Sequence, residues 1–182
     1  MEALPNNTEK QWFAMRDLKR VNAKLPAYKQ LAEAGMEVFT PMTTRLIVKD
    51  GKSTRVEVPA MQDLLFVNES RQNLDPVVAK TSTLQYRFKK GGKQGEAITI
   101  PAADMSRFID ATQATNNPKY YSADEISPLL CGRKIRMIGG PLEGHEGTLQ
   151  TVRGSKTKHL IITLPSLLAV SVDINDEYIE VL

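Results

Sequence analysis

Few side chains in this sequence have chemistry to offer, and none stands in a pattern that would use it. The chain holds two histidines, His145 and His159, and one cysteine, Cys131. A catalytic base or a metal site needs partners at set spacing. His145 falls in the glycine-rich run GGPLEGHEG and His159 opens the apolar run HLIITL, so both are expected at the solvent or at the rim of a small domain. Cys131 has no neighbour that would activate a thiol, and it is expected to be a small, partly buried apolar residue. A lone cysteine also excludes an internal disulfide and an all-cysteine metal cage. The run from Gly139 to Gly144 could cradle a phosphate only with a helix N-terminus behind it. A strand pattern follows instead, and the same holds for Gly91-Gly92-Lys93. Asp124 and Glu125 sit in a polar stretch where a raised carboxyl pKa has no cause. Neither a nucleotide-binding P-loop nor an H-E-x-x-H zinc motif occurs. No enzyme activity, no cofactor and no metal is expected.

What these residues lack in chemistry the rest of the chain supplies as surfaces. Hydrophobic residues make up 41% and charged residues 25% of 182, the composition of a globular chain. The net charge of +3 is too small to argue nucleic-acid binding by itself. The opening residues have no apolar core of a signal peptide. The longest apolar stretch, 160–170, is short and carries Pro165. A reducing, cytoplasmic setting is expected, with no membrane association.

Hydrophobic spacing predicts a strand over 11–16 and a short helix framed by Asn22, Pro26 and Gly35, with Ala27, Leu31 and Ala34 on one side. Strands follow at 36–42 and 45–48. Asp50-Gly51 then turns the chain into an alternating run at 52–58, which makes a hairpin. The continuous run 64–67 has the mark of a buried central strand. Leu84, Tyr86 and Phe88 alternate with polar residues, 97–100 returns, and Pro101 opens a helix bearing Met105, Phe108, Ile109 and Thr112. This is an α+β sandwich with helices on an antiparallel sheet, expected over 9–113. The polar segment 114–128 is expected to be a linker. Five short strand candidates lie at 134–138, 147–152, 159–164, 169–174 and 178–181. They predict a small closed five-stranded β-barrel over 129–182. The apolar turn 164–169 is expected to form a contact surface.

The segment 132–152 resembles a KOW motif, carried by Gly140, Pro141, Gly144 and Gly147 between two strands. Residues 9–113 resemble the NGN domain of NusG-type transcription elongation factors. The likeness is carried by Trp12-Phe13, the helix ending at Gly35, Val38-Phe39-Thr40-Pro41, the hairpin, Leu65-Phe66-Val67 and Ile100-Pro101. The stretches WFAMRDLKR, QDLLFV, LDPVVA and NPKYY are most similar to UpxY-type antiterminators of capsular polysaccharide operons. Where the family has Phe-Pro-Gly-Tyr, this chain has Met61-Gln62-Asp63-Leu64.

The resemblance implies a monomeric antitermination factor that binds RNA polymerase at the clamp helices of its largest subunit. An apolar patch would do so, drawn from Phe13, Met15, Met61, Leu64, Phe66, Met105, Phe108 and Ile109. It implies a second contact, with non-template DNA or leader RNA, through the basic residues Arg16, Lys19, Arg20 and Lys24. A KOW domain would recruit a ribosomal protein or a termination factor. The alternative is a ribosome-associated or RNA-binding KOW protein without polymerase contact. The balance of six basic and six acidic residues over 132–182 argues against it.

Overall fold

The computed structural model describes residues 7–19, 23–91, 95–116, 118–129, 131–151, 153–174 and 179–182. Two compact units emerge, one within Met1–Met42 and Pro59–Ala102, the other within Thr43–Val58 and Ala103–Leu182.

The first unit is built on a five-stranded antiparallel sheet. Strand β1 (Gln11–Asp17) lies at its centre and pairs with β5 (Leu65–Glu69), β6 (Leu84–Tyr86) and β7 (Thr99–Ile100). β2 (Glu37–Phe39) adds outside β5. Alternation along β1 sends Phe13 and Met15 to one face, where they pack with Leu65, Val67 and Tyr86. Helix α1 (Ala27–Glu33) seats Ala27 and Leu31 on that face, and α2 (Arg71–Lys80) seats Leu74. Trp12, Ala14 and Phe66 take the opposite face and are also buried.

α2 is an element that hydrophobic spacing passes over. Pro76 lies inside it and removes one backbone donor, which erases the sequence signal. The helix forms because its start is over-determined. Ser70 Oγ accepts from the Asn73 N–H at 3.3 Å, and buried Glu69 accepts from the Ser70 N–H at 2.8 Å.

In the second unit β3 (Met42–Lys49) and β4 (Lys52–Pro59) form a separate two-stranded sheet. Asp50 (φ 51°) and Gly51 (φ 73°) make the tight turn, as the Asp-Gly pair predicts. Helix α3 (Ala102–Gln113) buries Met105, Phe108 and Ala111. The remaining strands are β8 (Lys119–Ser122), β9 (Arg133–Met137), β10 (Glu146–Thr151), β11 (Lys158–Leu164), β12 (Leu168–Ile174) and β13 (Ile179–Val181). They form a 6-stranded sheet in the order β13-β9-β10-β11-β12-β8.

Three expectations change here. The polar stretch read as a linker carries β8 and helix α4 (Ala123–Leu129). β8 pairs with β12, and Ile126 packs with Ile161 and Ala169, so the segment is part of the sheet's core. The sheet has β13 and β8 as its ends and does not close among the described residues, where a closed barrel was expected. The apolar turn at 164–169 is no surface patch either. Leu164, Leu167, Leu168 and Ala169 are buried, and Ser166 takes a positive φ of 61° to turn them inward.

Candidate functional site

The eight apolar residues expected to dock a partner divide by strand face and by helix. Phe13 and Met15 hold α1 and α2, and the Phe13 ring stands edge-on to Tyr86 at 5.5 Å. Phe66 pairs with Ala14 in the β1–β5 ladder and so faces away from them, and Leu64 precedes it by two residues. Phe39, opposite Phe66 on β2, brings its ring within 6.2 Å. Phe66, Met105 and Phe108 are 0% exposed, and Leu64 is buried too. Met61 and Ile109 alone of the eight reach solvent in part.

The basic residues are less available than their sequence suggests. Arg16 is exposed, but its Nε lies 3.5 Å from Asp63. Arg87 donates to the same carboxylate at 2.9 Å and to the Asp63 carbonyl at 3.1 Å. Burial pulls the Arg87 guanidinium below its ordinary range, partly offset by Asp63. Lys19 spends its ammonium inside the loop, donating to the Leu25 carbonyl at 2.8 Å and to Gln30 at 2.9 Å. Lys24 is exposed. Arg20 lies outside the described residues, as do Asn22, Gly92 and Lys93.

The glycine-rich turn has a clear division of labour. Pro141 sits at the start of the 3-10 turn Gly140–Leu142. Gly140 (φ 74°) and Gly144 (φ 78°) adopt the left-handed backbone that glycine favours. Gly147 serves close approach instead, since a Cβ there would stand 2.4 Å from the Ile161 carbonyl oxygen. His145, expected near solvent, is buried. Its Nδ1 lies 3.0 Å from the Leu142 carbonyl and its Nε2 3.2 Å from the Arg107 carbonyl. The turn therefore fixes a ring between itself and α3. His159 is half-buried and meets Asp173 across the β11–β12 ladder at 2.8 Å. Cys131, expected to be partly buried, is exposed.

Asp17 is a structural carboxylate that no sequence motif marks. It ends β1, is buried, and accepts from the Lys19 N–H at 2.9 Å and the Ala27 N–H at 2.7 Å. Among the described residues no group of three acidic, histidine or cysteine side chains could hold a metal ion. None of their helices is long and apolar enough to cross a membrane.

A family model described as "NusG: Transcription termination factor nusG" matches residues 10–109, more than half of the 182-residue chain. The chain belongs to the NusG family. No curated protein matches it. The NusG domain takes in every strand of the first unit, the β3–β4 hairpin and most of α3. It points to a factor of transcription elongation or antitermination, in a family of transcription factors rather than of enzymes.

Proposed function

We propose that this NusG-family protein binds RNA polymerase through its N-terminal domain and suppresses pausing and termination in long operons, those for capsular polysaccharide among them. The NusG-domain match over 10–109 carries the reading. The UpxY-like stretches named above favour the specialised antiterminators over the general factor. The docking residues would be Leu64 and Phe66 by β5, with Met61 beside them in the chain and partly exposed, and, as a contact of its own, Met105 and Phe108 on α3, with Ile109 next to Phe108 and partly exposed. The clamp helices of the largest subunit would supply the apolar partner. Action is by population shift: a factor that binds the closed polymerase better than the opened, paused one favours continued synthesis without covalent chemistry.

Phe13 and Met15, committed to the α1–α2 core, would act by shaping the domain. Arg16 and Lys24 would be the residues of the basic cluster that reach non-template DNA or leader RNA, while Lys19 braces the loop. The 132–182 segment would be a KOW-type module that recruits a ribosomal protein or a termination factor.

The test is transcription of a long leader template by purified core polymerase, with and without the full-length protein, scored for pausing and read-through. Met61→Asp and Ile109→Asp should weaken co-purification with polymerase and the read-through effect. Full activity and full binding in a folded double variant would sink the docking assignment. Capture of ribosomes without polymerase would favour a ribosome-associated KOW protein instead.

A further inference from the structure

Every residue from 44 to 57 is exposed, so the β3–β4 hairpin has solvent on both faces. Its two strands form a sheet by themselves. An isolated two-stranded ribbon is marginal in water and leaves both outer edges with unpaired backbone groups. Four large aliphatic side chains are nonetheless exposed on it: Leu46 (64%), Val48 (67%), Ile47 (45%) and Val56 (37%).

The two faces of β3 differ in chemistry. Successive side chains point to opposite faces, so Leu46 and Val48 share one while Arg45, Ile47 and Lys49 share the other. Lys49 and Lys52 flank the turn, and Arg55 adds to a hairpin with four basic and two acidic residues. β4 occupies one side of β3, and among the described residues no strand pairs with its other edge.

We propose that the open edge of β3 is a strand-docking site for an extended acidic segment of another protein. A third strand laid along it must alternate with the same period of two. Apolar residues on one face would cover Leu46 and Val48, and carboxylates on the other would meet Arg45 and Lys49. Backbone hydrogen bonds along the edge supply affinity, and the alternation supplies specificity. Exposed aliphatic side chains gain nothing from a phosphate backbone, so a protein strand fits this surface better than nucleic acid does.

The probe is a capped peptide of alternating Glu and Val, matching β3 in length at 8 residues. It is added to the full-length protein and read by amide hydrogen exchange. Controls are a Lys-Val peptide, a Glu-Val peptide with a central proline, and a short DNA duplex. The Glu-Val peptide should slow exchange over 44–49 by about tenfold or more, leaving β1 and β5 unchanged. The proline and Lys-Val peptides should not. The double variant Arg45→Glu with Lys49→Glu should reverse the preference, favouring Lys-Val by roughly tenfold. Both positions are exposed, and unchanged exchange in β1 and β5 would verify the fold. Equal binding of the two alternating peptides, no protection from either, or protection by duplex DNA would overturn the proposal. So would protection that rises with protein concentration alone, which would make a second copy the occupant. None of these outcomes depends on polymerase binding.

Discussion

The Asp17 carboxylate reaches across 10 residues to accept the Ala27 N–H at 2.7 Å. Ala27 is the first residue of α1, and Pro26 before it offers no side-chain cap. Asp17 therefore supplies from the end of β1 what a capping residue supplies locally, and it ties the helix to the central strand. Asp17→Ala should lower the unfolding free energy by about 1–2 kcal/mol, the range for lost caps. Urea denaturation of the full chain measures it. A loss indistinguishable from that of an exposed-site control would show that Lys19 and Gln30 hold the loop unaided.

Two nearby glycines, Gly144 in the turn and Gly147 in β10, should respond differently to alanine. At Gly144 a Cβ meets nothing within 4 Å, and the cost is the positive φ of 78° alone, about 1–2 kcal/mol. At Gly147 a Cβ would stand 2.4 Å from the Ile161 carbonyl oxygen and 2.8 Å from Leu160 Cδ1, and backbone cannot yield as a flexible side chain can. Gly147→Ala should thus be the more destabilising, by pushing β10 from β11. Thermal unfolding of the two variants gives the order directly, and an equal loss would contradict the close packing.

The contrast shows what the sequence could and could not convey. β1, β5, the hairpin and the C-terminal strands were legible because alternation, apolar runs and Asp-Gly are local signals. α2 was hidden by Pro76, and β8 by its polar residues. α4 had left a signature, Ser122-x-x-Glu125, in which Glu125 accepts from both the N–H and the hydroxyl of Ser122 at 2.8 Å. For the candidate site, residue type was legible and burial was not. The run Leu64–Leu65–Phe66–Val67 is apolar on both faces, and nothing local says which face is covered. His145 looked exposed because its neighbours are glycines, yet its ring partners include a carbonyl 38 residues away.

Glu69 sets an acid limit on stability. The Ser70 N–H, chiefly, with Asn73 and Lys10, holds its carboxyl below the ordinary glutamate range despite burial. A carboxylate with a depressed folded pKa stabilises the fold above its unfolded pKa, about 4.3 for glutamate. That contribution is lost as pH falls through the folded value. Stability should therefore decline below about pH 4.3, and Glu69→Gln should flatten that decline while costing stability at neutral pH. Denaturation midpoints from pH 7 to 3 test this, with an identical slope in both proteins as the opposing result.

Tyr86 anchors α2 to the sheet by its hydroxyl as well as its ring. The hydroxyl donates to Asp75 at 2.6 Å, and the Arg71 guanidinium lies 4.9 Å from the ring centre. Burial and the Asp75 carboxylate together raise the phenol's pKa, so it stays a donor throughout the working range. Tyr86→Phe keeps the ring beside Phe13 and removes one hydrogen bond to a charged acceptor, which should cost about 1.5–3 kcal/mol. Combined with Asp75→Ala, the losses should fall short of additive, since both remove the same bond. A double-mutant cycle with full additivity would assign the effect to packing.

The buried face of α3 decides how a contact with polymerase would be tested there. Phe108 is 0% exposed, so Phe108→Ala should cost about 3–5 kcal/mol and confound any binding assay. Ile109, one residue on, is half-buried and turns about 100° around the helix, so Ile109→Asp should be the milder change. If α3 meets polymerase, the Ile109 variant should lose co-purification while keeping most of its thermal stability. Phe108 would engage only after its covering is displaced, and α3 amides should then exchange differently in the presence of core polymerase. An Ile109→Asp protein that stays folded and binds polymerase at full strength, with α3 exchange unchanged on binding, would remove α3 from the interface.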